Sequence, residues 1–366
     1  MQNQENIFAR YHRQMILKGF GKEGQEKLNL ARVLVVGAGG LGCPALLFLV
    51  AAGVATIGIV DHDKVSLSNL HRQVLYSEAD IGHPKVSIAA KKLQMMNEMV
   101  TIIPYETKLT VSNCLEFFSN YDIILDGSDN FPTRYLINDA CVLTGKPLVY
   151  GAVSQYDGQV AVFNVNGGVN YRDLFPTPPK DGEVLNCAES GVLGVLPGII
   201  GSMQANETIK LITGIGESLV NRLYTFNALT MQSYDIQISA NPLSAFLIPP
   251  DVESFTQKDY DWECGIPTTD LEIDHKQFDK LLSENITVID VRNPDETPFI
   301  TSFDHQKIPL SILQESFDEI SGETVVFICQ SGKRSLQAAQ MFREWSGSEK
   351  NIFSLKGGIL NYETLI

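Results

Sequence analysis

Short apolar runs, each closed by glycine or an acid, dominate the first half of this chain. Val33–Val36 is followed by a glycine-rich turn and a helical pattern to about Ala52; Ile57–Val60 then ends at Asp61. A helical stretch follows from Lys85 to Met96, then strand patterns at Thr101–Tyr105, Asp122–Asp126 and Leu148–Tyr150. Strands apolar on consecutive positions are buried on both faces, and their alternation with helices predicts a parallel sheet covered on both sides. After Gln159 the runs lengthen, at Val160–Val165, Arg222–Asn227 and Gln232–Ile238, which predicts an antiparallel extension. Between them Tyr171–Leu185 is proline-rich and reads as an ordered crossover loop.

Periodicity fades from Asn241 to Thr269, where proline recurs, and a second unit starts near Leu271. It offers a short helix around Lys276–Leu282, strands at Thr287–Val291 and Thr324–Ile328, a helix at Ser335–Trp345 and a strand at Ile352–Leu355. The chain therefore divides into a domain at 1–245, a linker at 246–269 and a domain at 270–366. Its 366 residues exceed what one ordinary core accommodates.

The apolar stretch Pro44–Val60 is broken by Gly53, with β-branched residues clustered after the break. It reads as buried helix, turn and strand rather than a membrane span. A net charge of −15 argues against nucleic acid or an anionic membrane as the main partner. The polar start Met1–Asn6 has no signal-peptide core, and the six cysteines (43, 114, 141, 187, 264 and 329) form no paired motif. A reducing, cytoplasmic setting is expected.

Gly37, Gly39, Gly40 and Gly42 lie between a strand and a helix, where glycines let backbone approach phosphate and the helix N-terminus favours an anion. Such a loop opens a Rossmann-like fold for many nucleotides, and Asp61 would take ribose hydroxyls in any of them. The rest is more selective. The loop from Asp61 to Gln73 holds Asp63, Ser68, Asn69 and Arg72, Lys85 opens the next helix, and Asp126-Gly-Ser-Asp129-Asn130 closes the fourth strand. Cations for phosphate beside carboxylates able to hold Mg²⁺ suit triphosphate chemistry better than hydride transfer.

The run Arg10–Leu17, the glycine loop, "VDHDKVSLSNLHRQ", "GHPK", "DGSDN" and the stretch Asn186–Lys210 resemble the ubiquitin-activating-enzyme-like adenylyltransferases of molybdopterin and thiamine biosynthesis, over roughly residues 5–240. The resemblance implies ATP and Mg²⁺, a homodimer, and a small ubiquitin-like sulfur carrier whose C-terminal Gly-Gly is adenylated. It implies that Asp129 holds Mg²⁺ and orients the reacting phosphate, with Asn130 beside it. Arg72 and Lys85 would neutralise the triphosphate, Asp61 would bind ribose, Asn69 would assist, and Arg13 would reach the partner's site as an arginine finger. Cys187 falls where the family's thiol meets the activated carrier, as a thioester or an acyl-disulfide. Cys43, Cys114 and Cys141 sit in helical patterns and are expected in the core. Many members bind zinc through four cysteines; here those places hold Asn170, Asp173, Ser244 and Leu247, so no structural zinc is expected.

In the second unit, "VIDVRNPDE", Cys329-Gln330-Ser331-Gly332-Lys333-Arg334-Ser335 and "LKGGILNY" resemble a single rhodanese domain, a smaller α/β fold. Six residues from Cys329 through Arg334 match the rhodanese loop, one fewer than in tyrosine phosphatases. The loop would present an exposed thiol, with inward N–H groups, Lys333 and Arg334 stabilising a persulfide. Residues 297–307 depart from the family pattern before Ile308-Pro-Leu310. Together the halves predict an enzyme that adenylates a carrier carboxylate and delivers sulfur to it, with a cysteine desulfurase as a candidate donor. A NAD-dependent oxidoreductase, or a scaffold that only binds carrier and donor, are the alternatives.

Overall fold

A computed structural model describes residues 2–179, 191–258, 260, 264, 271–284, 286–294, 296–330, 332–347 and 350–363. Cys187 and Ser331, and the side chain of Lys333, lie outside the described residues. Two compact units divide between Tyr260 and Asp261.

The first unit is built on an eight-stranded sheet. Its strands are β1 (Arg32–Val36), β2 (Thr56–Val60), β3 (Thr101–Tyr105), β4 (Ile123–Asp126), β5 (Leu148–Ser154), β6 (Asp157–Phe163), β7 (Arg222–Asn227) and β8 (Ser233–Gln237), in the order β3-β2-β1-β4-β5-β6-β7-β8. Pairing is parallel from β3 to β5 and antiparallel from β5 to β8. The chain leaves β1 toward β2 on one side and returns to β4 on the other, so a crevice opens beyond the carboxyl ends of β1 and β4.

The helices are α1 (Gln2–Met15), α2 (Gly21–Leu28), α3 (Gly42–Ala52), α4 (Lys85–Met96), α5 (Cys114–Ser119), α6 (Phe131–Thr144), the single turn α7 (Tyr171–Leu174) and α8 (Val195–Thr213). The helix α3 is apolar all round and packs against α8, with Leu46, Leu49 and Val50 fully buried. Its end at Gly53, in the left-handed region at φ 87°, leaves the space that the Tyr11 ring fills, which ties α1 to the sheet layer.

Two strands differ from the sequence reading. β5 continues to Ser154 and β6 begins at Asp157, because Gln155 and Tyr156 form a two-residue hairpin turn with Gln155 at φ 50°. The polar start of β6, Asp157-Gly158-Gln159, concealed it. The expected crossover loop begins as helix: Asn170 accepts from Arg172 N–H while its own N–H donates to Asp173, which caps α7 at both ends of the box.

The expected linker at 246–269 carries structure of its own. Two short helices follow, α9 (Ser244–Leu247) and α10 (Val252–Gln257), and Phe255 and Tyr260 are buried. The attachment centres on Asp139 of α6, which is fully buried. It accepts from Arg172 Nε at 2.7 Å and Nη2 at 2.8 Å, Tyr260 Oη at 2.8 Å and Lys258 Nζ at 3.3 Å.

The second unit is a five-stranded parallel sheet of β9 (Glu272–Ile273), β10 (Thr287–Asp290), β11 (Gln306–Lys307), β12 (Thr324–Ile328) and β13 (Asn351–Leu355), in the order β11-β10-β12-β13-β9. Helices α11 (His275–Leu282), α12 (Lys333–Ser346) and α13 (Gly358–Glu363) and the 3-10 turns of Leu310–Glu319 complete it. Apolar clusters around Phe327 and Phe342 and around Phe278 and Val326 are the two cores on either side of that sheet. Cys329 follows β12, the central strand.

Candidate active site

The crevice of the first unit is an open cleft of about 170 Å³, walled by Gly37, Gly39 and Gly40, Asp61 and Asp63, Arg72, Lys85 and the turn from Gly127 to Asn130. Glycine is demanded where backbones meet. A Cβ on Gly42 would lie 1.9 Å from Gly37 O, and one on Gly37, at φ 92°, would lie 2.6 Å from Gly127 O. The loop after β1 therefore folds against the loop after β4, backbone directly on backbone.

Asp61 closes β2 with both carboxylate oxygens engaged: Ala38 N–H donates to Oδ2 and Asp63 N–H to Oδ1, each at 2.8 Å. It thereby shapes the glycine loop, and each oxygen keeps a further lone pair for a hydroxyl donor. Lys85 is 5% exposed, and its ammonium donates to Asp63 Oδ2 at 2.8 Å. A buried cation has its counter-ion here and two further N–H groups for an incoming anion. Arg72 lines the cleft, with Nη1 on Ser68 O.

At the end of β4 two acids part company. Asp126 is buried beneath the turn and accepts from Ser128 N–H and Oγ; burial pushes its carboxyl up from the ordinary range. Asp129 is exposed in the cleft wall. Asn130 accepts from Thr133 N–H at 3.0 Å and so caps α6.

Some expected members stand aside. Ser68 and Asn69 are not in the cleft wall; Asn69 instead supports the loop, its carbonyl accepting from Arg72 and Gln73 N–H. Arg13, in the last turn of α1, is exposed and lines no described cleft of its own chain.

Three features went unread in the sequence. Gln73 lines the cleft at 3% exposure, with its Oε1 lacking a hydrogen-bond partner. Thr107–Leu109, after β3, form another part of the wall. Arg134, 8% exposed, lies over the Tyr150 ring at 5.6 Å and stands between this cleft and an adjoining one. The second cleft is aromatic, lined by Tyr135, Tyr150, Tyr171 and Phe175, and shares Asp129, Arg134 and Val153 with the first. The signal for Arg134 was its place four residues after Asn130, one helical turn into α6.

At the positions where the sequence resemblance placed zinc ligands, Asp173 acts as a clasp. Its Oδ1 accepts from Ser244 Oγ at 2.6 Å and Asn241 N–H at 2.8 Å, and its Oδ2 from Asn170 N–H and Nδ2 at 2.7 and 2.8 Å. Cys43, Cys114 and Cys141 are buried as expected. Burial pushes the first two thiols up to about 12 and Cys141 well above its ordinary range.

In the second unit the expectation of an exposed thiol is overturned, since Cys329 is fully buried. Its carbonyl accepts from Ile359 N–H at 2.9 Å, and its Sγ lies 3.3 Å from Ser335 Oγ in the first turn of α12. Ser335 donates to Gly332 O and accepts from Ser354 of β13, so a chain of buried hydroxyls reaches the sulfur. The sulfur thus sits beside the N-terminus of α12. Arg334 turns away from that role: it makes a two-pronged pair with Glu296, both contacts 2.6 Å. The pairing holds the Glu296 carboxyl down at about 2.

Residues 11–245 match the ThiF family, and residues 274–365 the rhodanese-like domain. The chain is 51% identical over 265 residues to a sulfur carrier protein adenylyltransferase of Thermus thermophilus, covering 70% of this chain and 96% of that one. It is 41% identical to the adenylyltransferase and sulfurtransferase MOCS3 of Arabidopsis thaliana, covering 92% and 79%. It is also 41% identical to the probable adenylyltransferase/sulfurtransferase MoeZ of Mycobacterium tuberculosis, covering 96% and 92%. The solved structure of E. coli MccB with ATP shares the fold of the first unit, with a TM-score of 0.53 at 18% identity over 65% of this chain and 77% of that one.

Proposed function

The chain belongs to the ThiF family and carries a rhodanese-like domain, and we propose that it adenylates the C-terminal glycine carboxylate of a small ubiquitin-like sulfur carrier and then loads that carboxylate with sulfur. The observation that carries this reading is the convergence of the glycine loop, Arg72, Lys85 and Asp129 on one cleft, in a chain whose second unit sets Cys329 at a helix N-terminus. In that cleft the carrier carboxylate attacks the α-phosphorus of ATP and pyrophosphate leaves. The step needs charge neutralisation and alignment rather than covalent help.

Arg72 and Lys85 supply the positive charge, Asp61 binds the ribose, and the adjoining aromatic cleft takes the carrier's tail, with Arg134 where the two meet. Asp129, exposed beside its buried neighbour Asp126, is the carboxylate suited to hold Mg²⁺, which would add charge neutralisation. The terminal sulfur of a Cys329 persulfide then attacks the acyl carbon and AMP leaves, giving an acyl-disulfide. The Cys187 thiolate attacks the Cys329 sulfur, the S–S bond breaks, the carrier thiocarboxylate is released, and an external dithiol reduces the resulting protein disulfide. If Cys187 instead displaces AMP first, the persulfide displaces the Cys187 thiolate from that thioester and the same S–S cleavage by a thiol follows. The adenylating domain spans 1–245 and the sulfurtransferase domain 270–366.

Exposed Ile16, Leu17 and Phe48 support a homodimer, in which Arg13 serves the partner's cleft. The Asp173 clasp supports a fold that needs no structural zinc. A cysteine desulfurase in the cytoplasm is a fitting sulfur donor. Among the described residues no helix is long and apolar enough to cross a membrane. The product serves molybdopterin or thiamine biosynthesis.

The test mixes the full chain with ATP, a sulfur donor and purified carriers ending in Gly-Gly. Carrier-dependent pyrophosphate exchange is expected, with a carrier mass shift of one sulfur for one oxygen. Asp129→Ala should abolish exchange while leaving the fold intact. Exchange at the wild-type rate in that variant would remove Asp129 from the reaction, and absence of exchange with every carrier would remove the reading.

A further inference from the structure

Arg72 reaches the cleft already held from behind. Its Nη1 donates to Ser68 O at 3.0 Å and contacts His71 Nε2 at 2.8 Å. A guanidinium only donates, so the imidazole accepts at Nε2, and its ring proton sits on Nδ1. Those two bonds use both hydrogens of Nη1 and leave the Nε and Nη2 hydrogens for a ligand.

The other side of the ring is closed by backbone. A Cβ on Gly194, the residue before α8, would lie 2.9 Å from His71 Nδ1 and 2.6 Å from His71 O. Among the described residues Arg72 is the charged group hydrogen-bonded to this ring, and the segment ahead of α8 presents glycine there. Arg72 lines the cleft and His71 does not.

We infer that His71 is a positioning residue for adenylation: as a neutral acceptor boxed between Arg72 and Gly194, it fixes the guanidinium in the orientation that meets the triphosphate of ATP. The inference rests on the cleft being the ATP site. An imidazolium could not accept from Arg72 and would repel it, so the clamp is the work of a neutral ring.

The experiment uses the full chain with MgATP. Calorimetry reads binding, and carrier-dependent pyrophosphate exchange reads KM and kcat. His71→Leu, which keeps bulk without an acceptor, should raise both Kd and KM for ATP about tenfold, the weight of a charge-assisted hydrogen bond. Gly194→Ala, which displaces the ring, should follow it. His71→Gln retains an acceptor and should recover to within about threefold of wild type. Cyanide-dependent sulfur transfer at Cys329 should be untouched in all three.

Wild-type Kd in His71→Leu would overturn the inference, as would a His71→Gln variant no better than His71→Leu. A wild-type chain that binds no ATP would overturn the ATP-site reading and this inference with it.

Discussion

Asp139 offers the sharpest energetic test of the first unit. Its carboxylate, fully buried, is the counter-ion of Arg172, whose guanidinium is also fully buried and stacks at 4.6 Å over Tyr135. Lys258, 19% exposed, and Tyr260 complete the cluster from the far end of the unit. Asp139→Asn keeps the shape, removes the charge and sets an amide donor among donors. Breaking a buried pair on one side typically costs about 3–5 kcal/mol, because the remaining charge is stranded. For a unit of this size that corresponds to a fall in Tm of roughly 6–20 °C.

Thermal and urea unfolding of the full chain, followed by the first transition, would measure it. Limited proteolysis should show new cleavage between residues 248 and 258, because two of the lost bonds hold that segment. The double variant Asp139→Leu with Arg172→Met should be less destabilised than Asp139→Asn, since the fully buried guanidinium goes with its counter-ion and Lys258, 19% exposed, can turn to water. A cost below about 1 kcal/mol for Asp139→Asn, or a double variant worse than the single one, would refute the reasoning.

If Arg13 serves the partner's cleft, inactive Arg13→Ala and inactive Asp129→Ala subunits should regain pyrophosphate exchange when allowed to re-pair; no recovery after verified subunit exchange would put Arg13 elsewhere. Cys329→Ala should keep pyrophosphate exchange and lose thiosulfate-to-cyanide transfer and carrier loading. Cys187→Ala should keep both of the first two and lose loading; a carrier still loaded by Cys329→Ala would exclude that sulfur as donor. The Glu296–Arg334 pair stabilises the second unit fully above about pH 4.5, and its contribution is lost as pH falls toward about 2, since the folded carboxyl is held down. Both groups are partly exposed, so the effect should be about 1 kcal/mol or less; an acid-unfolding midpoint unchanged in Glu296→Gln would show that the pair contributes nothing.

The parallel half of the first sheet was legible because Val33–Val36, Ile57–Val60 and Ile123–Leu125 are apolar on every position, and burial on both faces leaves that mark. The start of β6 was not, because Asp157 and Gln159 are polar and the hairpin depends on Gln155 entering the left-handed region. The glycine loop, Lys85 and Asp129 were readable since chemistry is concentrated in short motifs at strand ends. Ser68 and Asn69 were placed by motif too, yet the cleft wall uses the side chains that follow them, Arg72 and Gln73. Cys329 was misjudged in exposure alone, because Ser335, Ser354 and Ile359, the residues that enclose it, are distant from it in sequence or carry no mark of contact. Nor could local pattern reveal that Lys258 and Tyr260 turn back to Asp139, about 120 residues earlier.

A molecule that carries reactive sulfur risks losing it to its own bystanders. Sulfur moves between cysteines only when the attacking thiol is ionised and can reach its target. Burial raises the thiols of Cys43 and Cys114 to about 12 and that of Cys141 well above its ordinary range, so all three stay protonated at neutral pH. All three are also sealed inside the first unit. The clasp at Asp173 is likewise built from a carboxylate, amides and a hydroxyl and holds no thiol. The silence of these three thiols is thus what helps keep cargo on Cys329 addressable: none of them competes for its sulfur, which stays available to the carrier.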